Sequence, residues 1–348
     1  MLRHFTSTPG MSAGYHRRTA PTSDPMARSG GTYGPRSVAR ERHAGIIRSQ
    51  SGDRRPNRGG WSSMPSRILV GIDGSLASRA AVSWALERAR SIRTGVVLLI
   101  VVDDEWGAIG DRDLGELRAT AEGVARRELE FARERAGSVE VTAAIAVGAP
   151  MLVLASEASA FESVVIGTHK VGTFHGHALG SRGLQLAAVS PVPTVVVPVD
   201  ASDGRSGVAV GVGGPPGWTE VVRFAMREAL RLEERLMLVR AEGPTAVEEQ
   251  AVLRIVWDLP EASDLSDDIV VRRSTAPPGE TLAGVSRRAV LTVSGRPTAP
   301  GARGFRPLGR TNGDLLMNAG GPVVIVPFES TAERPPAAPS LVRVSSNG

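Results

Sequence analysis

Short, uninterrupted apolar segments recur along this chain, and the same series occurs twice. "ILVGIDG" (68–74) returns as "VAVGVGG" (208–214), with Gly211 standing 140 residues after Gly71. "ESVVIG" (162–167) is paralleled by "AVLTVSG" (289–295), Gly295 following Gly167 by 128 residues. "PTVVVP" (193–198) is paralleled by "PVVIVP" (322–327), at an offset of 129. The second series is therefore shorter by about a dozen residues, and the pattern is that of a duplicated unit. The longest apolar run, "VVLLIVV" (96–102), falls far short of the roughly 20 residues a membrane-spanning helix needs. It fits a strand buried on both faces, as in a parallel sheet covered by helices.

Helical periodicity fills the gaps between these runs. After "RILVGID" (67–73) a helix is predicted, with Ser75 or Ser78 as its cap. A long helix is predicted from Leu114, with Leu117, Ala121, Ala125, Leu129 and Ala132 along one apolar stripe. "VEVTAAIAV" (139–147) reads as a strand, and Pro150 suits the first turn of a short helix ending at Glu157. "SVVIG" (163–167) reads as a strand, followed by a glycine-rich loop, a helix from Ser181, and a last strand at 193–199. In the second series, strands are predicted at 208–214, 236–242, 289–295 and 322–327, with a helix through Val221, Ala225 and Ala229. The fold class is thus α/β, as two tandem Rossmann-like domains. Each is expected to be a five-stranded, mostly parallel sheet with helices on both faces. The expected domains span 64–200 and 206–328.

Charge separates these domains from the segment before them. The chain carries a formal +5. Residues 1–63 hold eleven arginines against Asp24, Glu41 and Asp53, a net +8, which leaves about −3 for the remainder. That Arg-, Gly- and Ser-rich stretch has no apolar period and is expected to be disordered, as is the Pro/Ser-rich stretch 329–348. It is read as a non-functional extension before a start at Met64. The alternatives are a tail for nucleic acid or an acidic partner, and a targeting leader. The chain has no cysteine, which excludes disulfides and thiolate metal sites and fits a cytoplasmic location.

Catalytic motifs are scarce. There is no G-x-S-x-G, no H-E-x-x-H and no G-x-x-x-x-G-K-[ST]. "GTHKVGT" (167–173) keeps the outer glycine spacing of a P-loop but carries its lysine inside the loop. His169, His175 and His177 offer nitrogens for zinc, yet they sit in a glycine loop with no carboxylate close in sequence. A phosphate cradle has the better physical basis. A strand–loop–helix junction presents unpaired N–H groups and the positive end of a helix. Asp73, ending the first strand, would face the same crevice.

Taken together, "ILVGIDGS" (68–75), "VGAP" (147–150) and "VVIGTHKVGTFHGHALGS" (164–181) resemble the universal stress protein family. The resemblance covers residues 66–199, and 206–328 looks like an eroded second copy. It implies domains of the adenine nucleotide alpha hydrolase-like type. ATP-binding members carry a loop of the form G-x2-G-x9-G-[ST], and here Gly167, Lys170 and Gly180-Ser181 stand at those distances. The resemblance implies that Ile72 and Asp73 contact the nucleoside and that Val101 packs on the base. It further implies that Ile166, Gly167, Thr168, His169, Gly180, Ser181 and Arg182 line the phosphates and ribose. Lys170, the only lysine in the chain, replaces the family's second glycine. It either adds a phosphate contact or marks loss of the site.

The second copy has Gly213 at the place of Asp73 and Gly309-Arg310 at the place of Gly180-Ser181, so it is not expected to bind nucleotide. The implied function is a cytoplasmic, ATP-binding stress-response sensor or adaptor, with magnesium accompanying ATP and hydrolysis slow at most. The expected partners are an adenine nucleotide and an unidentified protein, with no membrane. The last strands are expected to pair as an intramolecular pseudo-dimer, and to join two chains as a further option. A nucleotide-free scaffold and a nucleic-acid-associated protein acting through its basic tail are the alternatives.

Overall fold

The structure, a computed structural model, describes residues 67–103, 111–169, 181–199, 204–213, 216–241, 246–265, 268–298 and 308–330. The expected tails lie outside these, except that the last strand runs on through Glu329.

The first half is β1 (Ile68–Gly71), α1 (Leu76–Ile92), β2 (Val96–Val102), α2 (Asp111–Ala136) and β3 (Val141–Val147). It continues with α3 (Pro150–Ala158), β4 (Ser163–Thr168), α4 (Ser181–Val189) and β5 (Thr194–Pro198). The second half is β6 (Val208–Gly211), α5 (Thr219–Leu232), β7 (Leu236–Arg240), α6 (Ala246–Trp257) and a 3-10 turn (Pro260–Leu265). It continues with β8 (Ile269–Arg273), α7 (Pro278–Ser286), β9 (Leu291–Thr298), α8 (Arg310–Asn318) and β10 (Val323–Glu329).

All ten strands form one sheet, in the order β3-β2-β1-β4-β5-β10-β9-β6-β7-β8. Within each half the pairs are parallel, and β5 meets β10 antiparallel, Val195 opposite Val324. The halves thus share one topology, and their last strands pair inside a single chain. Both edges of β5 and of β10 are thereby occupied. Over Thr194–Val196 and Val323–Ile325 the last strands therefore have a neighbour on both sides. The outer edges are β3 and β8.

Alternation along the strands divides the core into two layers. Ile68, Val70, Val96, Leu98, Val195, Val208, Val210 and Val324 pack under α1, α2, α5 and α6. Leu69, Val97, Leu99, Val164, Val196, Val323 and Ile325 pack under α3, α4, α7 and α8. Each layer runs unbroken across the β5–β10 seam. Full burial of each such side chain contributes about 1.5–3 kcal/mol, which is why strands with no polar face are stable here.

Helix α2 and several elements of the second half depart from the sequence reading. Leu117 was expected on the buried stripe of α2 but is 41% exposed, and the first buried residue among those described on this helix is Ala121. A 26-residue helix is about 39 Å long, whereas seven-residue strands span about 23 Å, so its first turns overhang the sheet. In the second half, α6, β8, α7 and α8 were not predicted. β8 is an edge strand with alternating partial and full exposure, so it lacks the apolar run that marked the others.

A buried ion cluster ties the two halves together on the α1/α5 side. Arg88, 5% exposed, bonds Glu162 at 2.6 Å and pairs with Glu228 on α5. Its guanidinium lies 5.9 Å from the Trp84 ring centre and 5.8 Å from that of Phe224. Burial alone would lower its proton affinity, but Glu228 and Glu162 more than offset this and hold it above the ordinary value.

Candidate functional site

In each half the chain runs outward from β1 (or β6) in both directions, so a crevice opens beyond the C-terminal ends of β1 and β4, and of β6 and β9. The first-half cleft has a volume of about 600 Å³.

Its electrostatic centre is Asp73, two residues past the end of β1. The Asp73 carboxylate accepts from Ser75 N at 3.0 Å. Ser75 in turn caps α1, its hydroxyl accepting from Ser78 N at 3.1 Å, which settles the choice between the two serines. Burial pushes the Asp73 carboxyl up. Hydrogen bonds from Ser75 and Ser78 and the charge of Arg182 outweigh it, so the group stays below its ordinary value. Arg182, in the first turn of α4, stands 3.8 Å from Asp73 with both side chains more than half exposed. The pair spans the cleft mouth and is worth little by itself.

The walls are apolar. Val101 and Leu99 of β2, Met151 and Leu154 of α3, and Ile166 of β4 line the cleft. Pro150 begins α3 after Gly148, which has φ +140, so "VGAP" is the turn that brings Met151 to the rim.

Of the expected site residues, Ile72, Asp73, Val101, Ile166, Gly167, Thr168, His169 and Arg182 come together around this cleft. Ile72 is 5% exposed and gives its side chain to the core. Lys170 and Gly180 lie outside the described residues, and Ser181 is the first residue of α4. Gly167, expected to line the phosphates, also has a packing role. A Cβ there would overlap the Ala77 carbonyl and stand 2.8 Å from Ser78 N. The glycine admits the first turn of α1 against the end of β4, and so sets where Asp73 and Ser75 stand.

The sequence reading missed Asp103, Met151 and Leu316 among the lining residues. "VGAP" signalled Met151, and the end of β2 signalled Asp103. Nothing local signalled Leu316, which reaches the first cleft from α8 of the second half. Among the described residues no group of three His, Asp or Glu is placed to hold a metal, and His175 and His177 lie outside them. No helix among the described residues is long and apolar enough to cross a membrane.

Comparisons with known proteins agree with this architecture. The profile of the universal stress protein family matches residues 64–198. A universal stress protein of Mycolicibacterium smegmatis is 33% identical over 135 residues, 37% of this chain and 45% of the relative, so the chain spans less than half of that relative's length. One from Mycobacterium tuberculosis is 30% identical over 191 residues, 52% of this chain and 67% of the relative. The crystal structure of a universal stress protein from Archaeoglobus fulgidus shares the fold, with a TM-score of 0.61 at 15% identity. It covers 76% of this chain and 96% of its own. On the β1-to-β5 half with its Asp73 cleft, and on these relatives, the chain belongs to the universal stress protein family.

Proposed function

We propose that the first half binds an adenine nucleotide, ATP with magnesium in its working form, in the β1/β4 cleft. The bound state would signal to a protein partner as part of a cytoplasmic stress response. The observation that carries this reading is Asp73. A carboxylate held ionised at a strand end, opposite an apolar wall, is suited to accept both hydroxyls of a ribose while Val101 and Met151 cover a base. A volume of about 600 Å³ falls in the range of roughly 300–1,000 Å³ of small-ligand sites. Arg182 would exchange Asp73 for phosphate oxygens, and Lys170 would add a further phosphate contact. The domain that acts in this way is read as 64–200, with 206–328 as a degenerate second domain. Among the described residues the acids lining the cleft are Asp73 and Asp103, and no histidine–carboxylate pair activates water there, so any hydrolysis is expected to be slow.

Calorimetric titration of the full chain with ATP tests the reading. Saturable binding by the wild type is expected, with at least a tenfold loss in Asp73→Ala and a smaller loss in Lys170→Ala. Ligand at about 100 times its Kd should stabilise the fold by about 2.7 kcal/mol. Absence of ATP binding by the wild type would replace this reading with that of a nucleotide-free scaffold.

A further inference from the structure

The second cleft, of about 690 Å³ at the ends of β6 and β9, has the opposite charge character to the first. Asp73 and Asp103 line the first cleft with Arg182, whereas among the described residues Arg240 and Arg296 line the second with no aspartate or glutamate. The reversal has a specific structural origin. Gly213 occupies the place of Asp73 at φ +101, which side chains rarely adopt, and a Cβ there would fall on Nη1 of Arg240. The Arg240 guanidinium, which donates to Val212 O at 2.9 Å, thus fills the space next to the residue that replaces the carboxylate.

Neither arginine makes an ion pair with a carboxylate among the described residues. Arg240 is near enough to Glu249 to help hold that carboxyl down, but Arg273 engages both Glu249 oxygens. Arg296 crosses the seam to donate to Ser190 O, and its burial without a counter-charge lowers its proton affinity. The Nε atoms of both arginines are buried without a hydrogen-bond partner. Two partly desolvated cations that share a cleft are costly unless an anion joins them. The neutral polar groups nearby are already committed, Ser294 to Asn312 and Asn312 to Gly295 O. Trp218 and Leu282 supply apolar wall.

We propose that the second cleft is an anion site, taking a small organic phosphate through Arg240 and Arg296. With Gly213 at the place of Asp73, and no carboxylate among its described lining residues to accept sugar hydroxyls, it does not recognise a nucleoside. Guanidinium forks match phosphate oxygens in pairs, and the α8 N-terminus faces the same space with no side-chain cap and no acid in its first turn. The site stands whether or not the first cleft binds ATP.

Trp218 provides the readout. Inorganic pyrophosphate titrated into the full chain should change tryptophan fluorescence saturably, and the change should vanish in Trp218→Phe. Affinity should fall at least tenfold in Arg240→Met and in Arg296→Met, and by less in Arg240→Lys, which keeps the charge but loses the fork. Adenosine should give no response, and added NaCl should weaken pyrophosphate binding in the wild type. The last two measurements need no variant, so misfolding of an arginine variant leaves the proposal open to refutation. No saturable response, wild-type affinity in both methionine variants, indifference to salt, or competition by adenosine would each overturn it.

Discussion

Gly167→Ala should be among the most damaging single-methyl additions in the first half. Gly167 does not have the positive φ that favours glycine, so alanine suits its backbone and only the contact matters. The added carbon would meet main chain, namely the Ala77 carbonyl and Ser78 N at 2.8 Å. Ordinary carbon contacts lie at about 3.5–4.0 Å, so the elements must separate by about 1 Å or more. β4 is fixed between β1 and β5, which leaves the start of α1 to move. Overpacking of this kind costs about 1–3 kcal/mol, and displacing the Ser75 cap adds about 1 kcal/mol. Less conformational freedom in the unfolded chain returns about 0.4–1 kcal/mol. The expected net loss is therefore about 1–3.5 kcal/mol. Gly295→Ala is the internal control. Its added carbon would meet only side-chain tips, Phe328 Cε1 and Val221 Cγ2, both at 2.7 Å, and these can turn aside. A loss of about 1 kcal/mol is expected there. Urea unfolding followed by circular dichroism compares the two at constant slope. A Gly167→Ala midpoint at or above that of Gly295→Ala would refute the reasoning.

Arg88→Met should cost about 2–4 kcal/mol by the same assay. That is somewhat under the usual ~3–5 for breaking a buried pair, because Glu228 keeps Arg231 at 2.8 Å and Glu162 is partly exposed. A double-mutant cycle with Glu228→Gln should show coupling between the halves, and additive losses would remove Arg88 from that role. Asp73 should titrate below its unfolded value of about 3.9 by carboxyl NMR. Its contribution to stability is therefore present above that pH and fades as pH falls through the lower folded value. Ser75→Ala should move the Asp73 midpoint upward and weaken α1 by about 1 kcal/mol. A midpoint that stays put would show that the hydroxyl contributes nothing.

The strands legible in the sequence were those buried on both faces. Ile68–Val70, Val96–Val102 and Val195–Val197 have no polar side, so composition alone marks them. β8, "IVVRR", escaped because an edge strand need not be apolar, and α7 escaped although Pro278 repeats the place of Pro150. Asp73 and Arg182 were readable through a resemblance, since motif spacing records which residues meet at a strand end. Gly167 was singled out for the cleft, and its packing against the start of α1 was not foreseen. A glycine in a strand–loop junction looks the same whether it makes room for a ligand or for a neighbouring helix. Leu316 and the position of Arg240 depend on how distant segments pack, which no local pattern encodes.

Leu316 also bears on how this chain can change over time. Duplication commonly frees one copy to drift, and the loss of a carboxylate at Gly213 looks like such freedom. Yet α8 walls the first cleft and β10 occupies the edge of β5, so part of the second copy still serves the first. The second half is therefore divided within itself. The ends of β6 and β7 are at liberty to acquire new chemistry, while α8 and β10 are held by the requirements of a site in the other half. Truncation after β5 would remove Leu316 from the first cleft and uncover an apolar strand edge in the same stroke.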